Sequence, residues 1–524
     1  MVADSNRDLD KNYSRILGRI ILGVIFVLMS SGCSTVSNLE RHRQLVQNVG
    51  SNNYKKSLEL VSAKEFFPEE RSALLRLLEI GNVSYRSGNY YRSLKVFEAA
   101  SKLGDNLFTK SITSAAMGAF DSNMDEFYGR KYEHSLIRFY ESLDHYNLYC
   151  VGKYESSGEN YGDKSVYGKG KILSEEERRF HFVAAKSIVK GWNFLLNSYE
   201  NENYGKAVYK SDLLEKIWGA FIHEESGSYG DRQIALGLYR QAKTVLARDY
   251  GIYPIFNAEY EKFRENFRRQ SDSAYAVEIR KKHTKETTYA RDLYKYIDDK
   301  IEKLQNNRSS NLTILLKDGL VVEKKSKPST FLIDASMFKS FGGEEVWKYF
   351  EGELKAETTV NLSIPVINYR NTKNKFEAVL FDLQGNIVEK IPIVLVLPVS
   401  DIAFYEIDRE IASETDKIMA TTSAKYATAV YSSYKLYSQF QDKKMGLTFA
   451  AKLFATEKLL IDASSEPDLR QWLTLPGNIR IGSGYLNTGN YLLKIYSIDD
   501  ASQTEVYSRK INIGQDTTFV DVNL

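Results

Sequence analysis

The period of the apolar pattern changes once along this 524-residue chain, and that change dictates two kinds of architecture. From Asn38 to about Leu304 the apolar residues recur at helical spacing, broken by turns of the Gly-Asn-Tyr kind. After a polar break from Gln305 to Ser310 the period falls to two. Leu312 to Leu316, Leu320 to Glu323, Thr359 to Ile367, Phe376 to Phe381 and Ile387 to Leu395 then read as strands. Asp318-Gly319 and Gly385-Asn386 supply the turns. A helical stretch of about 401–458 interrupts them, with Asp401 read as its N-cap after Pro398. Strands resume near Ile479 and over Tyr491 to Ile498, Glu505 to Ile513 and Thr518 to Val522. The expected fold class is multidomain α + β. A helical repeat domain spans 33–304, with a long surface loop at 150–172. An antiparallel, sandwich-like β-rich domain spans 305–524, with a helical hairpin inserted. Only eight prolines in the chain suit long helices.

The clearest helical unit runs Leu77, Leu78, Gly81, Tyr85, Gly88, Tyr90, Ser93, Leu94, Phe97 and Ala100. Small residues stand where two helices would cross, aromatics fill the gap, and Gly88-Asn89 makes the turn. This resembles a tetratricopeptide repeat. Weaker copies follow Asn53-Tyr54, Gly129 with Tyr132, Tyr204 with Tyr209, and Gly230 with Tyr239. Such units must stack to bury their apolar faces, which predicts an α-solenoid. Tyr85, Tyr90 and Tyr132 read either as its core or as the lining of its concave groove.

Arg15 and Arg19 precede an apolar run from Ile20 to Met29. That run is shorter than the ~20 residues that cross a bilayer, so it reads as the apolar region of a signal peptide, residues 1–32. It ends in Ser30-Ser31-Gly32-Cys33, which resembles the bacterial lipobox, although leucine usually stands where Ser30 does. The resemblance implies cleavage before Cys33, lipidation of its thiol and attachment to an envelope membrane. Ser34 favours the outer membrane, facing the periplasm, with surface exposure left open. With Cys33 acylated, Cys150 is the remaining cysteine and a disulfide framework is excluded.

A search for catalytic chemistry finds fragments. His223-Glu224-Glu225-Ser226-Gly227 begins like a zinc-protease helix but lacks the second histidine. Gly162-Asp163-Lys164-Ser165 and Gly168-Lys169-Gly170-Lys171 fall short of a phosphate loop. All six histidines lie at or before His283, so the β-rich part cannot build a Ser-His-Asp or Cys-His site alone. A net charge of +3 shows no bias towards nucleic acid. The local basic cluster Arg268-Arg269 and Arg280 to Lys285 reads as a solvated helix face or a contact with anionic lipid or glycan.

Several segments together resemble a family of tetratricopeptide-like bacterial envelope lipoproteins. Its genes often neighbour curli-secretion-type and penicillin-binding-protein-activator lipoproteins. The matching segments are Leu74 to Gly81, Tyr128 to Glu133, Tyr239-Arg240 with Ala242, Leu315 to Gly319, Ile364-Pro365, Val399 to Ala403 and Ala424-Lys425. The most distinctive is Asp468-Leu469-Arg470-Gln471-Trp472-Leu473-Thr474-Leu475-Pro476, followed by Gly489-Asn490-Tyr491. Phe182 to Lys190 and 334–358 depart from the family pattern. Asp468, Arg470 and Trp472 read either as a structural cluster or as a ligand contact with Arg470 holding an anion.

These observations converge on a non-catalytic scaffold, lipid-anchored in the bacterial envelope, that binds other envelope proteins or peptides. It would use no metal, cofactor or nucleic acid. Two rival readings stand beside it: a cell-wall glycan enzyme with a carboxylate pair, and a surface adhesin or antigen.

Overall fold

A computed structural model describes residues 38–114, 126–155, 170–202, 209, 211–257, 288–332, 344–354, 359–368, 374–464, 467–499, 502–514 and 516–524. Cys33, the basic cluster at 268–285 and the Gly-Lys loop motifs up to Lys169 lie outside these residues.

The N-terminal part is helical. Its helices are α1 (38–50), α2 (Tyr54–Ser62), α3 (Ala73–Arg86), α4 (Tyr90–Ser114), α5 (Lys131–Val151), α6 (Glu175–Glu202), α7 (Leu213–Glu225), α8 (Tyr229–Asp249) and α9 (Thr288–Gln305). From α2 to α9, each packs on the next in sequence. Local chemistry sets their ends. Gly88 turns the chain between α3 and α4 at φ +81°, a conformation costly for any residue with a Cβ. The Asp212 and Ser228 side chains accept backbone N–H bonds at the starts of α7 and α8. Where α3 and α4 meet, a Cβ at Gly81 would lie 2.8 Å from the Phe97 ring, so only glycine allows that approach. The 150–172 loop starts later than its composition suggests, because Cys150 and Val151 still belong to α5. Its ends pair as a short antiparallel ribbon, β1 (Lys153–Tyr154) with β2 (Lys171–Ile172).

The C-terminal part holds β3 (Leu312–Asp318), β4 (Lys324–Leu332), β5 (Thr359–Ile367), β6 (Lys375–Phe381), β7 (Ile387–Leu397), β8 (Asn478–Gly484), β9 (Gly489–Ile498), β10 (Gln503–Ile513) and β11 (Thr518–Asn523). Seven of them form one sheet in the order β10-β9-β6-β7-β8-β3-β11. β7 pairs β6 up to Ile393 and β8 from Val394, so it passes from one half of the sheet to the other. Ile314 and Leu316 of β3, Leu493 and Ile495 of β9 and Val520 and Val522 of β11 share one apolar core. Both halves of the sheet therefore contribute to that core.

Four expectations need correction. The sheet is not wholly antiparallel, because β11 runs parallel to β3. Residues 320–323 are not a strand; strand pairing starts at Lys324, since the preceding backbone bonds elsewhere, Val321 N–H to the Leu475 carbonyl (3.0 Å). The helical insertion is longer than 401–458: α10 (Val399–Gln439) and α11 (Lys443–Ser464). Asp401 is not the N-cap of α10. Pro398 holds that place, and the Asp401 carboxylate accepts the Ile255 N–H (2.9 Å).

A single core spans both halves of the chain. Helical residues such as Leu78, Tyr140 and Trp218 share it with Leu315, Leu395, Val399, Trp472 and Ile479. The start of α10 belongs to that core through Ile402, Phe404 and Ile407. Its later turns leave it and join α11, the β4–β5 ribbon and residues 344–354 around a small separate core of Tyr426, Val430, Phe454 and Ile461. At ~1.5 Å per residue, the 41 residues of α10 are about 60 Å long.

Candidate functional site

The segment that follows α11 runs back through the helical part as an extended strap, residues 467–477. α3 and α5 receive it because each carries a fully buried carboxylate on its apolar face. Glu79 accepts the Leu473 N–H at 2.9 Å through Oε1, which also meets His42 Nε2 of α1 at 2.6 Å, and accepts the Thr474 hydroxyl through Oε2. Glu133 accepts the Trp472 N–H at 3.1 Å and the Arg130 N–H at 2.6 Å, the latter as the capping box of α5. Burial pushes the Glu133 carboxyl upward, against the pull of Arg130 and of the two N–H donors. Trp472 is fully buried, its ring 5.8 Å from Phe97 and 5.9 Å from Tyr140. The strap thus meets two needs at once. Its backbone donors find acceptors in a dry interior, and its largest side chain fills the space between α4 and α5.

Arg470 and Asp468 close the start of the strap. The guanidinium grips the Asp468 carboxylate at 2.7 Å and reaches the Arg71 carbonyl at 3.1 Å. Burial raises Asp468, but the hydrogen bonds and charge of Arg470 outweigh it and hold the carboxyl below its usual range. Gln471 completes the clamp from its own position. Its amide donates to the Val322 carbonyl (2.7 Å) and accepts the Lys324 N–H (3.1 Å). Asp468, Arg470 and Trp472 are therefore brought together as parts of one internal lock, and their contacts lie within the chain.

Of the two readings of the repeat tyrosines, core or groove, the structure gives core for Tyr85 and Tyr132. Each is only 1% exposed, and Tyr90 is half-buried. The sheet covers Tyr85, and Tyr132 lies near Glu406 and Glu410 of α10. The Tyr85 hydroxyl meets Asp521 of β11, which also pairs with buried Lys317 of β3 and accepts from Asn147 (3.3 Å). The Lys317 ammonium lies 5.0 Å from the Tyr85 ring centre. Burial pulls the Lys317 pKa down, and Asp521 only partly restores it. A second buried pair, Arg480 with Asp318 at 2.6 Å, joins β8 to β3.

The catalytic fragments resolve into structural contacts. His223 pairs with Asp231 at 2.6 Å, and Glu224 with Lys300 at 3.0 Å. Burial pushes Glu225 up to about 7, and it accepts the Tyr146 hydroxyl at 3.2 Å. Cys150 is free and partly exposed, and burial pushes its thiol up to about 12, away from nucleophilic use at neutral pH. Among the described residues no group of three or more His, Cys, Asp or Glu is placed to hold a metal. Nor is any described helix long and apolar enough to cross a membrane.

Two of the surface concavities border the strap and the lobe. A cleft of about 810 Å³ lies between α1, the β3–β4 connection and the strap; its charged side chains are Arg43, Arg86, Lys325 and Glu323. With Glu323 as its one acidic side chain, it offers no pair of carboxylate side chains for glycoside hydrolysis. A shallower groove of about 520 Å³ runs between α10 and α11, lined by Ala420, Ala424, Thr428, Glu457, Leu460 and Ile461, among others.

Glu79, Glu133, Lys317 and Asp521 escaped the sequence reading. A cue existed for the first: Glu79 stands beside Leu78 on the face that also carries Leu75 and Asn82, where an acid must find a buried partner. Comparison with protein-family models, with curated proteins and with solved structures found no match to this chain.

Proposed function

We propose that this protein is a non-catalytic binding scaffold of the bacterial envelope, lipid-anchored through Cys33, and that it engages a protein partner through the α10–α11 lobe. The helical part is read as degenerate tetratricopeptide-like hairpins whose own strap fills their groove. One observation carries the reading. The space where a helical-repeat protein would hold a peptide is packed with residues 467–477, whereas the lobe leaves the main core and keeps an open apolar groove. The small Ala420 and Ala424 line that groove beside Leu460 and suit a partner that packs closely.

A photo-crosslinking residue at Thr428 and another at Leu460, introduced in whole cells, test it. The same envelope protein should be captured from both positions. Ala424→Trp should abolish capture from both without lowering the melting temperature, and an alkyne-tagged palmitate should label the chain only while Cys33 is present. An unlabelled chain would remove the anchor. Capture unchanged by Ala424→Trp would remove the groove.

A further inference from the structure

Helix α6 carries an apolar face that the rest of the described chain leaves uncovered. Phe180 is 65% exposed, Val183 57% and Phe194 64%, on a helix whose opposite face buries Ala185, Val189, Trp192 and Leu196. Between them along the same face stand exposed Ser187 and Gly191. The glycine is the telling residue. Gly in the middle of a helix costs about 1 kcal/mol relative to alanine, so it calls for a close neighbour. Gly81 and Gly219 have one, because a Cβ there would meet Phe97 or Val189 at 2.8 Å. A Cβ at Gly191 would meet nothing within 4 Å. Among the described residues nothing asks for a glycine there.

The order of the residues says what does. Phe180, Val183, Ser187, Gly191 and Phe194 are spaced 3, 4, 4 and 3 apart, a pattern that reads the same in both directions from Ser187. Two copies of α6 laid antiparallel about a two-fold axis at Ser187 would place Phe180 against the partner's Phe194. Val183 would fall over the partner's Gly191, and the two small Ser187 side chains would meet at the crossing point. Large residues oppose small ones where the helices cross, and aromatics close both ends. Tyr229 (77% exposed) and Ile234 (47%) of α8 widen the patch. The Lys186–Asp231 ion pair at 2.6 Å sets the start of α8 beside the middle of α6. Such self-complementarity is the signature of a two-fold interface.

We infer that α6 is a homodimer interface, with a second copy of this chain packed antiparallel across Phe180, Val183, Gly191 and Phe194. The inference does not depend on the lobe or on the lipid anchor.

Sedimentation of the purified full-length protein gives the first test: twice the chain mass at micromolar concentration. Gly191→Leu is the decisive variant. Its side chain enters open space in the single chain, so the melting temperature should hold or rise, while the collision with the partner's Val183 should weaken dimerisation at least tenfold. In a Cys33→Ser, Cys150→Ser background, Ser187→Cys should form an interchain disulfide at least tenfold faster than Lys452→Cys on α11. A monomeric wild type, or a Gly191→Leu dimer as tight as wild type, overturns the inference. So does a monomer that binds phosphatidylglycerol vesicles through Phe180 and Phe194, which would make the face a lipid contact.

Discussion

The strap and the lobe are consecutive stretches of chain put to opposite uses. Both lie in the C-terminal half. The strap enters a groove lined by Leu78, Phe97 and Tyr140 and leaves no room. Around it, Glu79 and Glu133 meet backbone N–H groups that would otherwise be stranded in a dry interior. The α10–α11 pair instead uses small residues, Ala420, Ala424, Thr428 and Ala429, and keeps a groove open. The contrast teaches how to read a buried charge. In the strap site an acid marks the place where extended backbone docks, so it belongs to assembly of the fold. In the lobe the corresponding acid, Glu457, has an oxygen with no hydrogen-bond partner in the structure.

If the strap locks the two halves together, its anchors should be costly to remove. Trp472→Ala deletes a fully buried indole that touches α4 and α5. A loss of about 3–5 kcal/mol in urea unfolding is expected, with the helical part and the sheet unfolding in one transition. Two separate transitions in wild type would break the comparison, because the halves would then be independent. Glu79→Ala should follow, at about 2–4 kcal/mol. It leaves the Leu473 N–H and the Thr474 hydroxyl without their acceptor in the interior. Glu79→Gln keeps the shape and one acceptor, so it should recover roughly half of that loss. Leu459→Ser on the lobe should move stability by no more than about 0.5 kcal/mol, since that side chain is 70% exposed.

How much of this was legible beforehand follows from the range of each interaction. The change of period near residue 305, the strands from β5 onward and the turn glycines Gly88, Gly319 and Gly385 depend on neighbours in sequence, and the pattern carries them. The crossing at Gly81 and Phe97 was legible for the same reason. The strap was not. Trp472 meets Glu133 across 339 positions, and Leu473 meets Glu79 across 394. No local pattern encodes which helix an extended segment will enter. Tyr85 and Tyr132 stayed open between core and groove for a related cause: a tyrosine at a repeat position faces a groove or an interior depending on what fills the groove. The direction of β11 was hidden likewise, because the alternation of a strand is the same for parallel and antiparallel partners.

The smallest expected effect sharpens the comparison through pH. Burial pushes Glu141 of α5 and Glu457 of α11 each up to about 7, from an ordinary value near 4.5. An acid whose pKa is higher in the folded than in the unfolded chain binds its proton more tightly when folded. Its favourable contribution is complete below about 4.5 and is lost as pH rises through 7. The two sites then diverge. Glu141 is tempered by Arg138, which bonds it at 3.3 Å and supplies a partner for the charged form. Burial is the one cause acting on Glu457. Glu457→Leu should therefore raise the melting temperature at pH 8 and leave it unchanged at pH 5, whereas Glu141→Leu should raise it less at pH 8, because it removes one partner of Arg138 and leaves that guanidinium to Asp105 at 2.8 Å. A partner that seats in the α10–α11 groove with a cationic side chain against Glu457 would reverse the first effect. It would favour the charged carboxylate, so complex formation would strengthen between pH 5 and pH 8. Glu457→Gln would flatten that rise without touching the strap, which separates a groove built for binding from one left over by imperfect packing.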